Sequence, residues 1–234
     1  MEVQIAVAKI NKYAVSESGD TLEVVERPNG GVSVVLADGQ SSGRGAKAIS
    51  IMVVRRVISL LAEGVRDGAA ARAASDALYT DKQGKVSCTL NIASVDLHTN
   101  TIVLTRNNPA SMVISRHGQV DCVSTESIPL GTARDTRPII SEINIEPGLI
   151  IVIHTDGLEH AGKRRGQPME VCTVIQSMLD EQDPSAQAIA NELLAYAVSL
   201  DEGRPADDIS VVVLKVIQHT SDQVRRLALS LPID

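Results

Sequence analysis

The sequence predicts an α+β fold in which antiparallel β-sheets are stacked in the middle and helices cover them on the outside. Two patterns carry this prediction. Short segments rich in Val, Ile and Thr follow one another, with turn residues between them and no helix. Segments with helical spacing come in pairs before and after this run. A regular alternation of single strands and helices, which is typical of parallel sheets, fits this order poorly.

The first segments of the chain predict strands. Residues 3–10 alternate weakly between apolar and polar side chains, and residues 21–27 and 31–37 flank the turn signal Pro28-Asn29-Gly30. We therefore expect a β-hairpin that ends at Asp38.

Two helices are predicted after this hairpin. Across residues 45–63, polar side chains recur at helical spacing against a wide apolar face. An alanine-rich second helix is predicted over residues 65–79, after a break at Gly64.

The middle of the chain predicts an antiparallel meander. Its strands are short and are separated by turn signals such as Pro147-Gly148. They cover residues 88–97, 101–106, 111–116, 137–145 and 149–154.

Helical spacing returns after the meander. Helices are predicted over residues 171–179 and 184–199, the second with Asp183 as its N-cap and Pro184 at its first position. A last strand is predicted over residues 209–216.

Length and the absence of repeats favour one domain over residues 1–234. The C-terminal tail, residues 221–234, predicts a short helix through Val224, Leu227 and Leu231. This helix can pack on the body of the protein or contact a partner.

Composition argues against nucleic acid as a partner. The net charge is −7, so the chain has no electrostatic footprint for a polyanion. Phe and Trp are absent and only three Tyr are present, which leaves little aromatic surface for bases to stack on.

The cysteines and the apolar segments favour a cytoplasmic protein without a membrane partner. Cys88, Cys122 and Cys172 are far apart and form no CxxC pair, so we expect reduced, small core residues. No apolar run approaches the roughly 20 residues that span a bilayer. Residues 1–13 do not have the pattern of a signal peptide.

Apolar strands end twice in an Asp-Gly pair. Asp38 follows residues 32–37 and precedes a glycine-rich loop, and Asp156 follows residues 150–155. Either pair alone is explained by an ordinary turn. That two such pairs occur makes a chance explanation less credible. A carboxylate at a strand end, with a glycine beside it that lets a backbone carbonyl come close, can hold a hard cation.

A pair of adjacent acids, Asp207 and Asp208, precedes the last predicted strand. Adjacent carboxylates repel each other unless a cation or hydrogen-bond donors compensate, although such a pair alone is often a solvated turn. Carboxylates that converge at one end of a sheet make an all-oxygen site, which suits Mg²⁺ or Mn²⁺ and is poor for zinc. Two such ions can activate a shared water and hold a phosphoryl oxygen.

Four segments together resemble the successive motifs of the PPM family, the type 2C metal-dependent serine/threonine protein phosphatases. They are SGD at 18–20, ADGQSSG at 37–43, HTDGL at 154–158 and DDISVVVL at 207–214. The compact form of the chain is similar to the bacterial branch that includes the sporulation stage II E and stressosome phosphatases. The resemblance implies a four-layer αββα sandwich, with two antiparallel β-sheets between helical layers.

The resemblance also implies two Mn²⁺ or Mg²⁺ ions and their ligands. Asp38 would bridge both ions, with Asp20 and the carbonyl of Gly39 completing one site. Asp156 and Asp207 would complete the other. Asp38 and Asp156 are therefore the expected catalytic residues.

The choice of Asp207 over Asp208 rests on the same resemblance, because the family's ligand is the first residue of this acidic pair. The implied reaction is hydrolysis of phosphoserine or phosphothreonine by a metal-bridging water. The implied substrate is a phosphorylated STAS-domain protein that regulates a bacterial stress or sigma-factor pathway. The alternatives are a regulatory binding module with weak or no turnover and a small-molecule phosphoesterase.

Other polar residues near these motifs allow two interpretations each. His154 and His160 flank Asp156 and could donate a proton to a leaving alkoxide, or His154 could be a packed strand residue. The basic run Lys163-Arg164-Arg165 is of a kind that is usually solvated, but beside a metal site it could attract a phosphoprotein.

Overall fold

The computed structural model of the protein describes residues 1–218 and 224–232. Within these ranges the chain forms ten β-strands, which make two five-stranded antiparallel sheets. The strands are β1 (Glu2–Ile10), β2 (Asp20–Glu26), β3 (Val32–Gly39), β4 (Cys88–Asp96), β5 (Thr101–Asn107), β6 (Met112–Arg116), β7 (Gln119–Val123), β8 (Ile139–Asn144), β9 (Ile150–His154) and β10 (Ile209–Ile217).

The first sheet has the strand order β1-β10-β9-β6-β7, and the second has the order β2-β3-β4-β5-β8. The helices are α1 (Gly43–Ala62), α2 (Asp67–Lys82), α3 (Asp156–His160), α4 (Val171–Glu181) and α5 (Ala186–Leu200). None of the described helices is both long and apolar enough to cross a membrane.

Three apolar clusters separate the four layers of the molecule. Successive side chains of a strand point to opposite faces, so strand β3 contributes residues to two of these clusters. Val34 and Leu36 pack between the two sheets, while Val35 and Ala37 pack against α1 and α2. The third cluster lies between the first sheet and helices α4 and α5. The expected αββα sandwich is confirmed.

The predicted hairpin and both predicted helix pairs are present, with ends shifted by a few residues. The N-cap of α5 differs from the prediction. Ser185, and not Asp183, accepts a hydrogen bond from the backbone N–H of Ala188 at 3.1 Å. Asp183 instead forms an ion pair with Lys215 of β10, so its carboxylate faces the sheet and not the helix terminus.

The helix predicted in the tail is wrong for residues 224–232, which form neither helix nor strand. Residues 221–223 and 233–234 lie outside the described part of the chain. Leu227 and Leu231 are 87% and 76% exposed, so their apolar side chains find no surface to pack on, and an isolated short helix is unstable in water. Arg225 holds this segment near the first hairpin through the carbonyl of Gly30 at 2.7 Å.

The expectation of three reduced core cysteines is wrong for two of them. Cys122 on the edge strand β7 and Cys172 on α4 form a disulfide with their Cα atoms 6.1 Å apart. Cys88 is free and buried, as expected. The pairing joins residues 50 apart in sequence, and strand β7 itself was not predicted, so spacing alone gave no sign of it.

This disulfide should contribute to stability. Replacing Cys122 and Cys172 by Ser should lower the free energy of unfolding under oxidising conditions by about 2–4 kcal/mol, because the bond limits the unfolded chain. Denaturant unfolding measures the effect. A reductant should destabilise the native protein and leave the double variant unchanged, and equal stability of the two proteins without reductant would contradict the prediction.

Candidate metal centre

The first two expected metal ligands face each other across one strand pair. Strands β2 and β3 are antiparallel, and their register places Asp20 opposite Asp38. The start of one strand of a hairpin lies beside the end of the other, and directly opposed residues project on the same side of the sheet. The turn at Pro28-Asn29-Gly30 therefore brings together two acids that are 18 residues apart.

Asp20 is fully buried and is held from the opposite sheet. Its Oδ2 accepts hydrogen bonds from the hydroxyls of Thr155, at 3.1 Å, and Ser210, at 2.6 Å. Its Oδ1 is buried and has no hydrogen-bond partner among the described residues. A buried carboxylate oxygen is costly without a donor or a cation, so this atom fits a metal ligand.

The other two expected ligands come from the first sheet. Asp156 is the first residue of α3, at the end of β9, and Asp207 lies just before β10. Together with His160 they offer ligand atoms that all lie within 4.8 Å of one another. His160 lies one helical turn after Asp156, with its Nδ1 3.8 Å from Asp156 Oδ2.

The two adjacent acids have different surroundings. Asp208 is buried, and its two oxygens accept hydrogen bonds from the backbone N–H groups of Lys12, at 2.9 Å, and Gly19, at 2.8 Å. Asp208 thus ties the loop after β1 to the start of β10. Asp207 is half-buried, and its carboxylate belongs to the cluster with Asp156. The choice of Asp207 over Asp208 as the ligand stays a prediction.

Electrostatics connect the acids into one group. Burial, together with the charges of Asp20, Asp156 and Asp207, raises the pKa of Asp38 to about 9. Burial is also the main cause that raises the pKa values of Asp20 and Asp156. Carboxylates that resist ionisation because of their neighbours are stabilised as anions by a divalent cation.

Both Asp-Gly pairs need glycine because of close backbone packing. A Cβ on Gly39 would lie 2.0 Å from the carbonyl oxygen of Ala46 in α1, and a Cβ on Gly157 would lie 2.0 Å from the carbonyl oxygen of Asp208. The Gly39 carbonyl oxygen lies 3.6 Å from the Cβ position of Gly19, next to Asp20. The glycines therefore let α1 and β10 approach the acidic cluster.

Two lysines near the centre were not found from the sequence. Lys9 of β1 and Lys47 of α1 each donate a hydrogen bond to the backbone carbonyl of Asp20, both at 2.7 Å. Lys9 lies opposite Ser210 in the first sheet, which is what brings it to this place. For Lys9, the signal available in the sequence was a single cation near the end of a mostly apolar strand.

His154 is a packed strand residue. It is fully buried, and its Nδ1 lies 3.0 Å from the carbonyl oxygen of Thr155. Burial lowers its pKa, so the ring is neutral near pH 7 and poorly placed to give a proton to a substrate. Of its two interpretations, the structure favours the packing role.

Solved phosphatase structures share this fold. The phosphatase domain with a fragment of the regulatory domain of SpoIIE from Bacillus subtilis matches with a TM-score of 0.79 and 19% identity, over 92% of this chain and 64% of that chain. The catalytic domain of the serine/threonine phosphatase PstP in complex with two manganese ions matches with a TM-score of 0.68 and 16% identity, over 92% and 99% of the two chains. The protein therefore has the fold of the PP2C-type phosphatases.

The family follows from the sequence comparison. The family model described as stage II sporulation protein E (SpoIIE) matches residues 28–217, so this chain belongs to the SpoIIE family. The matched range includes Asp38, Asp156 and Asp207, and Asp20 precedes it. The expected kinship with the PPM phosphatases, in their sporulation branch, is confirmed.

A curated relative gives the scale of the match. Stage II sporulation protein E of Priestia megaterium is 21% identical over 220 residues, which is 94% of this chain and 37% of the relative. The chain thus spans little more than a third of the length of that relative.

Proposed function

We propose that the protein is a metal-dependent serine/threonine protein phosphatase and that residues 1–234 are one catalytic domain. The observation that carries the proposal is the convergence of four acids from two sheets: Asp20 and Asp38 from the second sheet, Asp156 and Asp207 from the first. Such a cluster is unfavourable by itself, which favours a role that needs it. Membership of the SpoIIE family supports the same activity.

The residues fit two hard divalent cations, Mn²⁺ or Mg²⁺. The donors are mainly carboxylate oxygens, one of which is buried without a partner among the described residues. We propose that Asp38 contributes to both sites, with Asp20 and the Gly39 carbonyl at one and Asp156 and Asp207 at the other. When bound, the ions supply an activated water and neutralise charge on the phosphoryl group.

The surrounding residues have a positioning role in this proposal. Thr155 and Ser210 fix the orientation of Asp20 through its Oδ2, which leaves Oδ1 for a cation. Lys9 and Lys47 hold the backbone at the same residue. Ligands held by outer partners lose little freedom on binding, so the centre is organised before substrate arrives.

We further propose that the substrate is a phosphorylated STAS-domain protein in a bacterial stress or sigma-factor pathway, and that the reaction takes place in the cytoplasm, where reductants would keep Cys122 and Cys172 as thiols. Membership of a sporulation phosphatase family supports a regulatory phosphoprotein over a metabolite. No nucleic acid or membrane partner is proposed, because the net charge of −7 disfavours polyanions and anionic lipid surfaces.

The test is Mn²⁺-dependent release of phosphate from a phosphoserine STAS-domain protein. EDTA should stop the release, and added Mn²⁺ should restore it. The Asp156→Asn variant should lose at least about 100-fold in rate, above the usual loss for outer partners of a metal site. Glu192→Gln, an exposed acid on α5, is the matched control and should keep full activity. Metal binding without phosphate release would favour the regulatory module instead.

A further inference from the structure

A basic pocket adjoins the acidic cluster. It is a cavity of about 490 Å³ lined by four cationic residues, Lys12, Arg164, Arg165 and Arg204, together with Tyr13 and Asp201. These residues come from three separate loops, after β1, after α3 and before β10. The pocket contains two residues of the basic run that the sequence analysis singled out.

The positive charge of the basic pocket is only partly compensated. Arg165 forms an ion pair with Glu202. Asp201 is turned toward the backbone, where its two oxygens accept hydrogen bonds from the N–H groups of Gly162, at 3.0 Å, and Ala206, at 2.8 Å. Within the described part of the chain, the side chains of Lys12 and Arg164 have neither a hydrogen bond nor an ion pair. Cationic charge is therefore available here on a protein of net charge −7.

The loops around the basic pocket are fixed to one another. The guanidinium of Arg204 lies over the Tyr13 ring, 5.3 Å from its centre, and the Tyr13 N–H donates to the carbonyl of Pro205 at 2.9 Å. The two hydrogen bonds to Asp201 connect the remaining loop. Because these loops are already fixed, they lose less conformational entropy when a ligand binds in the pocket.

The basic pocket and the acidic cluster share their supporting backbone. Ala206 lines the pocket, and the next residue, Asp207, belongs to the cluster. The N–H of Lys12 binds Asp208. Consecutive Cα atoms are only about 3.8 Å apart, so a bound peptide with its phosphorylated residue at the acidic cluster can place residues a few positions away in the basic pocket.

We propose that the basic pocket binds acidic side chains that lie near the phosphoserine or phosphothreonine of the protein substrate. The inference rests on the proposed function and adds a substrate class to it. Arg and Lys without partners form charge-assisted hydrogen bonds with carboxylates, and complementary charge fixes the register of a bound segment. Lys12 and Arg164 have no ion pair among the described residues, so their charges are available to such a segment beside the acidic cluster.

The experiment compares three substrates of the Mn²⁺-loaded protein. Two are phosphoserine peptides that differ only in whether the flanking residues are Asp and Glu or Asn and Gln, and the third is p-nitrophenyl phosphate. The native chain should prefer the acidic peptide in kcat/KM, mainly through KM. The Arg164→Ala and Lys12→Ala variants should each reduce this preference by about 5-fold, the upper range for an exposed charge pair.

Arg72→Ala, an exposed cation on α2, is the matched control and should keep the preference. Turnover of p-nitrophenyl phosphate without a preference between the peptides would overturn the inference and leave the proposed function standing. An equal effect of Arg72→Ala would also overturn it, because the preference would then come from general charge. No turnover of any of the three substrates would overturn the proposed function itself.

Discussion

Replacing Asp38 with Asn should abolish metal-dependent phosphate release and at the same time make the metal-free protein more stable. Activity should fall because Asp38 is the residue that we place at both ions. Stability should rise because near neutral pH the native chain must keep a proton on the buried Asp38 that the unfolded chain releases, and the neutral amide carries no such cost. A gain of a few degrees in Tm is expected, since 1 kcal/mol corresponds to about 2–4 °C in a chain of this size.

The gain should depend on pH in a defined direction. The pKa of Asp38 rises from 3.8 to about 9 on folding, so the native state holds a proton that the unfolded state has lost. The stability that this proton contributes is present below pH 3.8 and is lost as the pH rises toward 9. The metal-free native protein should therefore weaken between pH 5 and pH 8 more than Asp38→Asn does.

Calorimetry in EDTA at the two pH values measures this difference, and phosphate release with Mn²⁺ measures the activity. Glu192→Gln again serves as the control for the loss of an exposed charge. An Asp38→Asn protein that keeps its activity, or one that is less stable than the native chain at pH 8, would contradict the assignment.

The adjacent acids Asp207 and Asp208 should respond to the same substitution in opposite ways. Asp207→Asn should lose metal-dependent activity without loss of stability, because its carboxylate belongs to the acidic cluster and its charge raises the pKa values of Asp38 and Asp156. Asp208→Asn should lower the free energy of unfolding by about 1–3 kcal/mol, since the amide can accept from only one of the N–H groups of Lys12 and Gly19 and leaves the other unsatisfied.

Denaturant unfolding in EDTA and titration with Mn²⁺ separate the two effects. Because Asp208 also positions the residue before Asp20, some loss of activity in its variant is compatible with the structure. A stable Asp208→Asn protein that no longer binds Mn²⁺, beside an active Asp207→Asn protein, would reverse the two roles.

Most of the fold could be predicted from the sequence because its strands are strongly patterned. In β3, Val34 and Leu36 alternate with Val35 and Ala37, and both faces are buried. The strand that was missed, β7, is a short edge strand with mostly exposed side chains, so it carries little apolar signal. The tail has an apolar helical pattern but forms no helix over residues 224–232, because its apolar side chains have no surface to pack on.

Asp38, Asp156 and the Asp207-Asp208 pair were found because each follows or precedes an apolar strand, whereas Asp20 and the choice of Asp207 came from the family resemblance. Their supports were not found, because they depend on contacts between strands distant in sequence. Thr155 and Ser210 reach Asp20 from the other sheet, and Lys9 reaches it through its register with Ser210. Such partners follow from the stacking of the two sheets, which no local pattern describes.

The position of the acidic cluster between the two sheets couples metal supply to the lifetime of the protein. Asp20 and Asp38 belong to one sheet, Asp156 and Asp207 flank strands of the other, and only the folded chain presents all four together. An ion that binds this arrangement and not the unfolded chain adds about RT ln(1 + [ion]/Kd) to the free energy of unfolding. In a cell short of manganese or magnesium, the protein would be inactive and, because it is less stable, degraded sooner.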